Sequence, residues 1–458
     1  MSSSTSRLVV ENAAIATVDA GGTEHAGGHV VALDGRIAAV GAGPAPAYDD
    51  DVPTTRVDGS GCLATPGLVN THHHLYQWAT RGLATDHTLF DWLVALYPVW
   101  ARIGVDDVRA AARAGLGWLA LSGCTTSTDH HYVFPRGGGD LLATEIEAAS
   151  EIGLRFQPTR GSMDLGESDG GLPPDHVVED VDAVLAATAD AIARHHDPSF
   201  DSMTRIAVAP CSPFSVSTDL MKRSAELARS EGVRMHTHLA ETRDEIEFCR
   251  ATFGRDPVEY VDSLGWLGPD VWLAHTVHLD EAGIGRLAVT GTGVAHCPSS
   301  NARLGTGMAP VRALLDAGVD VGLGVDGAAS QEAGMLVEEL RQALYTARLR
   351  GGPTAMSARD ALALGTIGGA RVLGRGDEIG SLEVGKLADV ALWRLDGLGH
   401  ADIADPVTAL VLGPPAPLRL LAVGGRPVVE DGELRTADAG VLARDARAAH
   451  RRLTAASP

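Results

Sequence analysis

The chain has 458 residues, 45% hydrophobic and 21% charged, a composition that belongs to a folded globular protein and leaves no case for disorder. Its 59 acidic and 37 basic residues give a formal net charge of -22, a surface that repels a phosphate backbone and argues against a nucleic-acid partner. Five scattered cysteines without a CxxC pair fit a reducing compartment rather than a disulfide framework.

The start, Met1 to Arg7, is polar and runs into strand-like residues, so neither a leader peptide nor a membrane span is expected, and a cytoplasmic location follows. Short strand candidates come next, at 8–10, 14–18, 29–33 and 36–40, with Asp34-Gly35 as a hairpin turn between the last two. Similar material recurs at 378–393, 418–423 and 426–430, where Gly424-Gly425 makes the turn. The two ends are therefore predicted to form one small, mostly antiparallel, β-sandwich-like domain from residues 1–64 and 379–458, clamping a central domain at 65–378.

The middle alternates. Apolar strand candidates at 67–71, 125–130, 154–160, 206–210, 233–239, 271–277, 293–296 and 319–326 are interleaved with helical patterns at 108–121, 176–195, 220–229, 245–252 and 336–348. This is the signature of a closed (β/α)8 barrel of the TIM type, in the α/β class, whose chemistry sits at the C-terminal ends of the strands.

Polar residues stand where the apolar runs end. In Pro66-Gly67-Leu68-Val69-Asn70-Thr71-His72-His73-His74 a period of two puts His72 and His74 on one face. The fifth run ends in His236-Thr237-His238-Leu239-Ala240-Glu241, the sixth in Ala274-His275 and the eighth in Gly324-Val325-Asp326. Buried ionisable groups are costly unless paired or bound to metal, so this convergence points to a metal site. His236 and His238 share a face and either could be the third ligand; His238 is preferred because it lies nearer the strand exit. A divalent ion held by three histidines and an aspartate leaves room for a water and lowers its pKa towards neutrality. Asp326 could take that water's proton, His275 could hold it in line, and Glu241 could protonate the substrate and carry a proton to the leaving group.

These motifs together resemble the amidohydrolase superfamily, and within it the mononuclear zinc aminohydrolases of purines, pterins and triazines. The resemblance implies His72, His74, His238 and Asp326 as ligands, with Glu241, His275 and Asp326 catalytic. Binuclear members carry a lysine at the end of strand four, whereas Ala209-Pro210-Cys211 stands here. One zinc ion per chain is therefore expected, with ferrous iron as the alternative.

Within that branch, Thr71 to Gln77, Asp129 to Pro135, Arg160 to Met163, Gly170 to Asp175 and Ala209 to Ser215 resemble the 8-oxoguanine deaminases. The activity implied is hydrolysis of a small aminated oxopurine, 8-oxoguanine to urate and ammonia. Triazine hydrolases and isoxanthopterin or guanine deaminases are the alternatives, and a non-enzymatic metal-binding barrel is the rival class. Gln77 could read a ring N/N–H edge and Arg160 could hold a carbonyl oxygen, the bland readings being a loop hydrogen bond and a salt bridge. His131 and His296 could reach substrate or support the ligands from behind, and Cys297 reads as a small buried hydrophobe. Compared with those deaminases the chain departs at Gly327 to Met335 and at Ala302, on loops expected to re-line the pocket and admit a substituted ring. Trp92, Tyr97 and Trp100 could cover that pocket or meet a second subunit; relatives are commonly dimers, so a homodimer is expected.

Overall fold

The computed structural model describes residues 5–455, so the polar start at 1–4 lies outside the described residues, as do 456–458. Eight parallel strands close into a barrel: β1 (Leu68–Asn70), β2 (Cys124–His131), β3 (Arg155–Ser162), β4 (Ala207–Pro210), β5 (Arg234–Leu239), β6 (Val271–His275), β7 (Gly293–His296) and β8 (Val321–Leu323). All their residues are buried except Arg234, which is partly so. Burial on both faces explains why these strands read as continuous runs instead of alternating ones.

β1 and β8 are shorter than predicted, for a reason that matters to the site. The ladder between β8 and β1 stops at Leu323 and Asn70. Beyond it, His73–His74 pairs with Asp326–Gly327 in a separate two-stranded sheet. His72, His74 and Asp326 thus stand on the rim rather than in the wall.

The predicted helices form at Val105–Leu121, Val181–His195, Thr218–Glu231, Arg243–Phe253 and Leu336–Gly351. The second starts five residues later than its pattern because Asp180 caps it, accepting from the backbone N–H groups of Asp182 and Ala183. The third ends at Gly232, whose φ of 68° is the left-handed stop that glycine favours.

The strands from the two chain ends make one mixed nine-stranded sheet. Its seam is Cys62–Pro66, antiparallel to Val390–Arg394 and parallel to Arg7–Ala16. The pieces predicted at 8–10 and 14–18 are one strand with an irregularity at Asn12, φ 63°. Asp34 and Gly35 both take positive φ, as a two-residue hairpin turn requires. A buried ion pair, Arg155 Nε to Asp389 Oδ2 at 2.8 Å, ties β3 to this sheet.

The seam strand Cys62–Pro66 gives way to β1 across Gly67. The helix Ala439–Thr454, which the sequence reading did not single out, leaves the sheet. It packs on Val105–Leu121, with Arg452 bonded to Asp107 and His450 to the Ala79 carbonyl. Among the described residues no helix is long and apolar enough to cross a membrane.

Candidate metal centre

Four strand exits meet over the barrel mouth, bringing His72, His74, His238, Glu241, His275 and Asp326 together, none more than 9% exposed. Hydrogen bonds fix which nitrogen His72, His74 and His238 each turn inward. His74 Nδ1 lies 2.7 Å from the His130 carbonyl, and His238 Nδ1 lies 2.7 Å from that of Cys211. A carbonyl only accepts, so both Nδ1 atoms carry the proton and both Nε2 atoms keep a lone pair. His236 Nδ1 is likewise 2.9 Å from the Trp272 carbonyl. Its Nε2 must then accept from the Nδ1–H of His72, at 2.8 Å. That leaves His72 Nε2 bare, buried and without a hydrogen-bond partner.

Three lone pairs and a carboxylate therefore face one another. His74 Nε2 is 3.1 Å from His238 Nε2, and Asp326 Oδ1 is 3.3 Å from Nε2 of both His72 and His74. With no shared cation these atoms would only repel. Tetrahedral coordination with bonds of about 2.0–2.1 Å has edges of roughly 3.3 Å, so the spacing fits one divalent ion. The same bonds place His236 behind His72, orienting its ring, and outside the converging donors.

Burial drives the pKa of His72 well below the ordinary range, lowers that of His74 and takes His238 to about 3, so all three are neutral, as ligands must be. Asp326 is surrounded by donors: Ser300 Oγ at 2.6 Å and Ser330 Oγ at 3.2 Å on Oδ2, and the Gly327 N–H at 2.7 Å on Oδ1. His275 Nδ1 lies 3.0 Å from Asn301 Oδ1, which turns its Nε2 towards Glu241 Oε2 at 3.6 Å. Burial pushes the Glu241 carboxyl up to about 7. Ser300, Ser330 and Asn301 were not found by sequence reasoning. Ser300 and Asn301 follow Cys297-Pro298 and Ser330 lies within Gly327 to Met335, loops that the sequence marks only as expected pocket lining.

Backbone strain gathers at the same place. Ala240 (φ 53°), His275 (70°), Thr276 (45°) and Asp326 (63°) all take left-handed conformations that non-glycine residues rarely adopt, each just where a strand leaves the barrel.

A cleft of about 710 Å3 opens beside these groups. One wall is the helix Leu89–Trp100, which contributes Phe90, Trp92, Leu93 and Tyr97, so this segment covers the pocket. Trp100 lies behind it, fully buried, donating to Thr80 Oγ1. Gln77 is 1% exposed and lines the cleft, with neither amide atom satisfied. Gly327 makes room for it: a Cβ there would stand 1.7 Å from Gln77 Oε1. Among the described residues, no lysine or arginine lines the cleft.

Arg160 is not brought to it. Its Nη2 binds both oxygens of Glu179, at 2.8 and 2.9 Å, and its guanidinium lies over the Phe134 ring. Replacing it with alanine is expected to cost about 1–3 kcal/mol of stability, by stranding Glu179, while KM stays within about twofold. Thermal melting and steady-state kinetics check this; a tenfold rise in KM would put Arg160 back among the substrate contacts. His131 is also occupied elsewhere, between Glu145 Oε1 and the Val133 carbonyl, each at 2.8 Å. His296 and Cys297 are buried outside the lining, and Ala302 is exposed, so its small size does not widen the cleft.

Residues 63–426 match the Amidohydrolase family. The 8-oxoguanine deaminase of Pseudomonas aeruginosa is 47% identical over 438 residues, covering 95% of this chain and 96% of that one. An isoxanthopterin deaminase from an unknown prokaryotic organism is 41% identical over 400 residues, 82% and 83% of the two chains. Among solved structures, atrazine chlorohydrolase from Arthrobacter aurescens TC1 complexed with zinc superposes with a TM-score of 0.92 at 34% identity, over 97% of this chain and all of the other.

Proposed function

The chain belongs to the amidohydrolase family, and we propose that it is a zinc-dependent deaminase of aminated oxopurines, with 8-oxoguanine converted to urate and ammonia as the first substrate. One observation carries the reading: a buried carboxyl, Glu241, stands beside the converging Nε2 lone pairs, and the unpartnered amide of Gln77 faces the same cleft.

A divalent ion bound by His72, His74, His238 and Asp326, zinc in this reading with ferrous iron the alternative, supplies the Lewis acidity that brings the pKa of water towards neutrality. The chain's own groups do the rest. Asp326, its Oδ1 facing Nε2 of His72 and His74 and its Oδ2 oriented by Ser300 and Ser330, is the carboxylate that receives the attacking water's proton. His275, its Nδ1–H given to Asn301, accepts the water's other hydrogen at Nε2 and aims it at the amino-bearing carbon. Glu241 gives its proton to the ring nitrogen next to that carbon as the C–O bond forms. Glu241, now ionised, takes the proton of the new hydroxyl and gives it to the amino group; the C–N bond breaks, ammonia leaves, a carbonyl remains, and the proton held by Asp326 passes back to Glu241.

In this scheme Gln77 reads the ring's amide edge. Gln77→Ala is expected to raise KM about tenfold and to lower kcat less, since a donor–acceptor edge left unpaired in a buried site costs about 1–3 kcal/mol. An unchanged KM removes Gln77 from the substrate contacts.

The apolar outer cleft, with Leu89, Phe90, Leu93, Leu172 and Phe214, favours one second reading, an alkyl-substituted triazine. Purified enzyme decides between them. Ammonia released from 8-oxoguanine, guanine or isoxanthopterin supports the deaminase, and chloride or alkylamine released from triazines supports the second reading. Glu241→Gln serves as the control throughout. The five buried free cysteines support a reducing, cytoplasmic setting. The homodimer rests on the resemblance alone, and a monomer in sedimentation analysis removes it.

A further inference from the structure

We propose that Glu245 is a positioning residue: its carboxylate holds the left-handed turn at Ala240 that presents Glu241 to the substrate. Glu245 is 2% exposed and borders the cleft, but both of its oxygens are committed to backbone. Oε1 accepts the N–H of Ala240 at 2.7 Å, and Oε2 accepts that of Glu241 at 3.0 Å. No other side chain holds the backbone N–H of the proton carrier in this way among the described residues.

The need for such a clamp comes from the backbone itself. Ala240 sits at φ 53°, a conformation from which a residue with a Cβ tends to relax. A relaxed turn would swing the next side chain, Glu241, out of line with His275. Helix Arg243–Phe253 provides the anchor. Thr242 caps it, accepting from the Glu245 N–H at 3.2 Å, so Glu245 occupies the position from which a side chain ordinarily reaches back to the cap. Here it reaches further, to the two residues before the cap. The turn is also knitted to the neighbouring strand exit, since Thr276 N–H donates to the Leu239 carbonyl at 3.0 Å and His278 N–H donates to that of Ala240 at 2.9 Å. Those contacts fix the carbonyl side of the turn, and Glu245 fixes its N–H side.

This inference rests on the reading of Glu241 as the proton carrier, and the test separates the two. In zinc-replete, full-length enzyme, Glu245→Gln keeps the shape but sets an NH2 against a backbone N–H. We expect kcat to fall about 30-fold, with KM and metal content unchanged. Ala240→Gly removes the Cβ that makes the turn unfavourable, so Glu245→Gln should cost less than about fivefold in kcat when placed in the Ala240→Gly background. In a Glu241→Gln background it should cost nothing further. Should Glu245→Gln fail to fold, Glu245→Asp, which keeps the charge but draws it back by one methylene, is put through the same cycle with the same pattern expected. A parent-like kcat in the single variant overturns the proposal. So does an equal loss in the parent and the Ala240→Gly backgrounds, or a loss that tracks metal content. If Glu241→Gln itself keeps full activity, it is the reading of Glu241 that fails.

Discussion

Glu241→Gln is expected to lower kcat by about 10²–10⁴-fold while leaving the metal content and the fold in place. Glutamine matches the volume of glutamate and can still hydrogen-bond, but it carries no proton between ring nitrogen and leaving group. Glu241 is 6% exposed, and burial pushes its carboxyl up to about 7, so near neutral pH a substantial fraction holds the proton the ring must receive. An acid whose pKa folding raises destabilises the native state when ionised. The variant, which has no such charge to bury, should therefore melt at or above the parent's temperature at neutral pH. Single-turnover kinetics together with a melting curve check both halves. A variant that is inactive because it has unfolded or lost its ion would not count in favour of the role.

Stripping the metal with a chelator is expected to abolish turnover, restore it with one equivalent of zinc, and lower thermal stability. The last effect follows from the hydrogen bonds that hold each Nδ1 and so force the Nε2 atoms of His72, His74 and His238 to converge with lone pairs outward. An ion present at about 1,000 times its dissociation constant stabilises the fold by about 4 kcal/mol. His236→Phe offers a finer version. It keeps all four donors but removes the acceptor for the His72 Nδ1–H, and metal affinity should weaken by about 10–100-fold. Competition with a metal-binding dye measures the shift, and parent-like affinity would show that His72 needs no such support.

The barrel was legible in the sequence because short strand candidates alternate with helical patterns, and strands such as Val271–His275 and Gly293–His296 are apolar runs that end in a polar residue. The convergence of His72, His74, His238 and Asp326 was legible because each is a polar residue at the exit of a buried strand. What separated His236 from His238 was not legible. Both have the same parity on β5 and both give Nδ1–H to a carbonyl; what tells them apart is that Nε2 of His236 meets Nδ1 of His72, whereas Nε2 of His238 meets Nε2 of His74.

Arg160 shows the opposite failure. It lies in β3 as its position implied, yet Glu179, 19 residues on, had no periodic signal marking it as the partner. The helix Ala439–Thr454 carries its signal only in Leu442, Ala446, Ala449 and Leu453, a short apolar stripe in an otherwise polar segment that follows strand and hairpin material. Glu245 was legible as a helix residue, but its job depends on a positive φ at Ala240 that no alanine advertises.

The most direct test is a crystal structure of the holoenzyme with anomalous data at the zinc edge. The expected result is one peak within bonding distance of Nε2 of His72, His74 and His238 and of a carboxylate oxygen of Asp326, with His236 behind it. A peak bonded instead to His236, or no ion among these four residues in active enzyme, would contradict the account.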